Sequence, residues 1–358
     1  MITADLDREL VASLHSLIAR GGLPATAAPL ALRGTWRPAP DGAPARYATT
    51  LPLELAALAG TDPAAVAAEL ARPLGAAGWI EDAGSSGGYL MITVTPQALA
   101  RSAARMAAAG PACATSVILA GTTAVAADWP DLAAARTWQQ AWQDQATAMT
   151  GRLALAAGAS AALSSGRERG SPGPARTQRP RPPAAAAVGY YGPDSVRYAL
   201  ARTAPGSAVP PASLLTPPLP GRRIADPLAA VQQAHADAAS VLRWAAALGL
   251  ARAADEDRLG GQLGRPAERS LLTLLSFLPV TVAAAGRRRR PDELPRYLED
   301  VSSAWQECQR QAPALPFGGA AAPRDPGVAA ARLVLADAVR AVLAAGLALT
   351  AIAAVSQL

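Results

Sequence analysis

From Gly189 to the C-terminus, Pro and Gly cut the chain into a few long segments whose apolar residues recur at three- and four-residue spacing. That pattern leaves little choice but helices packed on helices. The clearest segment is DPLAAVQQAHADAASVLRWAAALG, Asp226 to Gly249. Asp226 is a natural N-cap, Pro227 suits the first helical position, and Gly249 suits the left-handed residue that ends a helix. Leu228, Val231, His235, Ala238, Ala239, Leu242 and Ala246 form its apolar stripe, with Gln232 at the border. Three further long segments follow: PAERSLLTLLSFLPVTVAAAG, PDELPRYLEDVSSAWQECQRQ and DPGVAAARLVLADAVRAVLAAGLALTAIAAV. With the short GPDSVRYALART before them, residues 189–358 are predicted to form an all-α bundle. Alanine-rich composition supports this, because alanine loses no side-chain entropy on entering a helix.

Residues 1–110 mix two periodicities. Leu6, Leu10, Val11, Leu14 and Ile18 make a helical stripe, and TDPAAVAAELARPLGAAG has Thr61 or Asp62 as cap and Pro63 in its first turn. GGYLMITVTP instead alternates Leu90, Ile92 and Val94 with Tyr89, Met91 and Thr93, a strand closed by a proline. A small α+β domain is the economical assembly. Residues 111–158 read as a helical connector, in which Trp138 and Trp142 share a face with Leu132 and Ala135. Residues 159–188 are rich in Gly, Ser, Pro and Arg and read as a disordered basic linker, because they have too little apolar surface to offset ordering. The fold class is therefore mainly α, with a small α+β domain ahead of a helical bundle.

The chain has no lysine, so all 33 basic residues are arginine. A Schiff-base lysine and a P-loop lysine are thereby excluded. The positive excess is uneven. Residues 159–185 carry five Arg against one acid and 186–358 carry 18 against 14, whereas 1–110 carry eight against nine. This points to a polyanionic partner such as nucleic acid. Cys113 and Cys308 are isolated, with no metal-ligand spacing around them, so neither a metal site nor a cofactor is expected. The acidic start MITADLDREL lacks the features of a signal peptide, and AVLAAGLALTAIAAV is shorter than a bilayer span and reads as a core helix. A cytoplasmic protein without a membrane segment is expected.

Two sets of residues resemble the arginyl-tRNA synthetase family. ARYATTLPLELAALAG followed by GGYLMITVTPQAL is similar to its N-terminal additional domain, which grips the elbow of tRNA. DPLAAVQQAHADAASVLRWA, then LPVTVAAAGRRRRPDELPRYLEDVSSAW and ARLVLADAVRAVLAAGLAL, resemble its anticodon-binding helices in order. Asp337-Ala-Val-Arg340 stands where the letters D-A-L-R name that domain. The resemblance covers roughly residues 1–105 and 189–358. The family's intervening catalytic domain, with its H-I-G-H-type and K-M-S-K-S-type motifs, has no counterpart: His15 and His235 sit in neither motif, and there is no lysine. Adenylate formation needs organised positive charge around a triphosphate, so ligase activity is not expected of these residues. The family pattern also departs at Thr50, Ala229, Ala230, Gln233 and Asp237, where the resemblance implies asparagine, tyrosines and arginine.

What the resemblance implies is tRNA binding by shape and phosphate contact. Its candidate residues are Tyr47, Arg222, Arg223, Gln232, His235, Arg243, Arg287, Arg288, Arg289, Arg290, Arg296 and Arg340. The Arg287–Arg290 run reads either as phosphate contacts or as a solvated helix end favoured by the macrodipole. His235 reads as a hydrogen-bonded member of the apolar stripe, and Trp244 and Trp305 as core packing. Tyr47 reads equally as a stacking ring or as packing. The other reading is a module that pairs with a synthetase or another protein and has lost RNA contact.

Overall fold

The computed structural model describes residues 2–27, 36–162, 183–209, 227–253, 256–315 and 325–357. Helix α1 (Ile2–Ala19) buries Leu6, Leu10 and Leu14 on one side, as its stripe predicts. Strands β1 (Arg37–Pro38) and β2 (Arg46–Thr49) precede α2 (Leu51–Ala59) and α3 (Pro63–Leu74), and β3 (Ile80–Ser86) and β4 (Tyr89–Val94) complete a four-stranded antiparallel sheet in the order β1-β2-β4-β3. The Asp62 side chain caps α3 by accepting from the Ala64 N–H. In β4, Leu90, Ile92 and Val94 enter the main core, while Met91 packs with Ala39 and Ala48 on the other face. Period-two alternation thus sorted this strand correctly.

After β4, Thr95 caps α4 (Pro96–Ala109) by accepting from the Ala98 N–H. The connector differs from its prediction. Only α5 (Trp138–Ala156) is α-helical there, capped by Thr137; before it lie 3₁₀ turns at Gly110–Ala114 and Leu132–Ala134 and the short β5 (Thr123–Val125). Pro130 and the capping side chains of Asp131 and Thr137 interrupt any earlier start.

The predicted linker is also shorter than 159–188. Residues Ser160–Ala162 form β6, parallel to β5, and α6 (Pro183–Tyr191) is ordered. The free edge of β5 supplies hydrogen bonds for β6. Ala184 and Ala187 of α6 bury against Leu132, Ala135 and Ala141, with Trp138 and Trp142 alongside. The rest of the predicted linker, 163–182, lies outside the described residues.

The C-terminal half comprises α7 (Pro193–Ala201), α8 (Pro227–Ala247), α9 (Glu256–Gln262), α10 (Pro266–Leu275), α11 (Leu278–Arg288), α12 (Glu293–Gln311) and α13 (Pro326–Leu349). A single helix was predicted across 266–286, but Pro279 splits it into α10 and α11 with a bend of 42°. Among the described residues no single helix is long and apolar enough to cross a membrane. Helix α13 buries Leu333, Leu335, Val339, Val342, Leu343 and Leu347, as expected of a core helix, and ends at Leu349.

The two halves share one core. Leu99, Ala103 and Met106 of α4 join Val334, Val339 and Leu343 of α13 in one cluster. Closeness of approach is enforced by small residues: a Cβ at Gly260 of α9 would lie 2.5 Å from the Gln97 backbone at the start of α4. At Gly286, a Cβ would lie 2.8 Å from the Ala154 nitrogen of α5. Docking, which the sequence leaves open, is thus direct packing of helix on helix.

Candidate nucleic-acid interface

The candidate residues fall into a buried set, a carboxylate-paired set and an exposed set. Tyr47 of β2 is fully buried. Its hydroxyl lies 2.7 Å from Ser276 Oγ, and its ring is 5.2 Å from that of Phe277. Burial holds the phenol well above its ordinary range. Tyr47 therefore cannot stack on a nucleotide: it is a seam residue between the sheet and the α10–α11 corner. Trp305 is likewise core. Cys113 and Cys308 are buried thiols pushed up to about 12, which keeps both protonated at neutral pH.

The arginine run at the end of α11 meets the acidic start of α12. Arg290 makes two parallel bonds to the buried Asp292, Nε to Oδ1 and Nη2 to Oδ2, both 2.9 Å. Arg296 approaches the same carboxylate at 3.6 Å, and Arg288 is 3.5 Å from Glu293. Arg289 takes the left-handed conformation that closes α11 (φ 54°) and makes no ion pair among the described residues. Arg287 and Arg288 line a cleft of about 760 Å³ between β1–α2 and α11–α12, facing Arg37, Thr50 and Glu54. Thr50, which the resemblance places at the elbow contact, therefore looks toward the bundle.

Asp337 and Arg340 of the D-A-V-R stretch are bonded to each other. Asp337 is buried and accepts from Arg340 Nε at 2.9 Å and Nη2 at 2.7 Å through one oxygen, while Arg252 binds the other. This fork ties the segment after α8 to α13. Arg340 is thus a positioning residue within the bundle rather than an open phosphate ligand.

Helix α8 carries candidates of differing burial. His235 is buried, and its Nδ1 lies 2.7 Å from the Val355 carbonyl in the tail beyond α13. The ring is held below its ordinary range, first by burial and also by the charge of Arg340. It is neutral at pH 7, with Nδ1–H donating to that carbonyl. Two residues of α8 therefore hold the tail, because exposed Arg243 donates from Nη1 to the Ser356 carbonyl at 2.8 Å. Gln232 is half-buried beside them. The predicted apolar stripe holds from Leu228 to Ala239, but Ala246 is exposed. Asp226, Arg222 and Arg223 lie outside the described residues.

The sequence reading misplaced Trp244. It is exposed, on the face of α8 that also bears Gln233 and Asp237. The signal was available, since Trp244 stands outside the stripe that runs through Leu242 and Ala246. Arg37 and Arg252 were also overlooked, as lone arginines without a motif.

The family model "DALR anticodon binding domain" matches residues 231–358. The arginine–tRNA ligase of Frankia alni is 36% identical over 168 residues, covering 47% of this chain and 29% of that protein. Those of Renibacterium salmoninarum (34% identical, 47% and 29%) and Kineococcus radiotolerans (36%, 45% and 28%) match similarly. The chain thus spans under a third of the length of these curated relatives. A solved Thermus thermophilus arginyl-tRNA synthetase aligns with a TM-score of 0.35 at 22% identity, over 66% of this chain and 34% of that one. The chain carries a DALR anticodon binding domain and is related, through its C-terminal half, to the arginine–tRNA ligases.

Proposed function

We propose that this chain is a cytoplasmic tRNA-binding protein with no aminoacylation activity of its own, gripping its RNA by shape and phosphate contacts. The observation that carries the reading is the DALR match over 231–358, reinforced by the exposed arginines of α8 and the α11 end. The missing catalytic side supports it as well. His15 is exposed on α1, His235 is occupied by the tail, and no lysine exists to meet a triphosphate. The resemblance of residues 1–105 to an elbow-gripping domain adds a second contact region, now packed against the bundle.

A filter-binding titration of bulk tRNA at about 50 and 200 mM salt tests this. Two or three phosphate contacts should weaken binding on the order of 10-fold across that range. Absence of binding below tens of micromolar at the lower salt sinks the reading. An ATP-dependent charging assay tests the catalytic half, and sustained charging of tRNA would refute it.

One observation favours a second reading, a protein-interaction module: Arg288, Arg290, Arg296 and Arg340 are all paired with carboxylates. Reversing Arg287 and Arg289 to Glu separates the two. It abolishes RNA association under the first and leaves a protein complex intact under the second.

A further inference from the structure

The solvent face of α8 changes character along its length. Gln233 and Asp237 are bonded to each other near its start. Two turns beyond Asp237, Trp244 is 62% exposed, and Leu248, just past the end of the helix, is 51% exposed. Residues 233, 237, 240, 244 and 248 recur at helical spacing, so Trp244 and Leu248 continue that polar face rather than the stripe. The buried side of the same turns is already complete: Ala245 packs with Leu333 and Ala314, with Val241 and Leu242 alongside. Trp244 is therefore not a core residue displaced from its place.

Charge decides what suits this ring. Arg243 is its chain neighbour; its guanidinium donates to the neutral Ser356 carbonyl and makes no ion pair among the described residues, which leaves charge and further N–H donors at the surface. Asp237, on the same helix, is engaged by Gln233, and Asp337 of α13 by Arg252 and Arg340. An exposed indole, with a guanidinium lacking a carboxylate partner among the described residues at the next position round the helix, matches an unpaired nucleotide, whose base offers a π-face and whose phosphate, a few ångströms from the base, offers an anion. We infer that Trp244 is a stacking platform for an unpaired RNA base, with Arg243 meeting the adjoining phosphate. This rests on the RNA-binding reading above and assigns it a residue outside the sequence-derived candidates.

The test uses the full chain, bulk tRNA, an unstructured single-stranded RNA 12-mer and a blunt RNA duplex. Trp244→Ala should weaken the 12-mer about 10-fold, the usual scale for one lost base–aromatic stack. Trp244→Phe, which keeps a ring face, should retain binding within about 3-fold, and neither variant should change duplex binding. Thermal unfolding should be unchanged in both, because the ring is largely outside the core. Wild-type failure to bind tRNA removes the reading and the inference together. If the wild type binds tRNA but Trp244→Ala binds the 12-mer equally well, or loses 12-mer and duplex alike, the inference alone is overturned. The same holds if Trp244→Ala keeps RNA affinity and instead loses a co-purifying protein.

Discussion

The α11–α12 corner and the solvent face of α8 both present arginine, yet they differ in what the arginines touch. At the corner, Arg290 and Arg296 share the buried Asp292 and Arg288 faces Glu293, so two members of the four-arginine run, and Arg296 beyond it, each have a carboxylate beside them. On α8, Arg243 contacts a carbonyl oxygen, which orients the guanidinium without cancelling its charge. A carboxylate partner removes a unit of field, whereas a carbonyl partner removes almost none. The count of arginines in a stretch therefore says little about the field it presents.

The largest effect should come from breaking the neutralisation. Asp292→Ala removes charge-assisted bonds of a buried carboxylate and should lower stability by about 2 kcal/mol in urea unfolding. It also frees Arg290 and Arg296, so tRNA affinity at low salt should rise about 2- to 5-fold with a steeper salt slope. Unchanged affinity in Asp292→Ala would mean that the corner faces no RNA.

Arg243→Gln works from the other side. We expect tRNA binding to weaken about 3- to 10-fold at low salt, with the salt slope reduced by about one phosphate contact. Stability should stay within about 0.5 kcal/mol, because the bond to Ser356 is at the surface.

Arg289→Gly sharpens the contrast at smaller amplitude. Arg289 holds a left-handed conformation that glycine adopts without strain. Glycine there should stabilise the protein by about 0.5–1 kcal/mol and weaken RNA binding about 2-fold, trading charge for an easier helix end. A variant that gains stability with no loss of RNA binding would assign Arg289 to the solvated helix end.

The smallest effect concerns the tail. The folded His235 is held below its unfolded value, so the unfolded chain takes up the proton first as pH falls. Its contribution is complete above the ordinary histidine range and declines below it. Asp7, pushed up to about 6 by burial, acts in the opposite direction over the same window. The measurement is therefore the difference between wild type and His235→Gln in melting temperature from pH 7.5 to 5, in which Asp7 cancels. Wild type should lose more than the variant; parallel curves would contradict the neutral ring.

Much of the fold is legible in the chain because its signals are local. Capping at Asp62 and Thr95, the stripe of α1 and the alternation in β4 each act within a few residues. The break at Pro279 is local too, but its surroundings are so apolar that one long helix and two bent ones look alike. The candidate site was less legible. Tyr47 reads equally as a stacking ring or as packing and Trp244 as core, yet Tyr47 is sealed against Phe277 and Ser276 and Trp244 faces water.

By itself, the sequence determined that this chain is mainly helical, that α8 and α13 form, and that no lysine chemistry is possible within it. Propensity, capping and residue identity need no partner. Only the tertiary structure decided that the two halves share a core through α4 and α13, that Arg340 is held by Asp337, and which arginines keep their charge. Those outcomes depend on residues far apart in sequence, since Coulomb interaction and burial act through space.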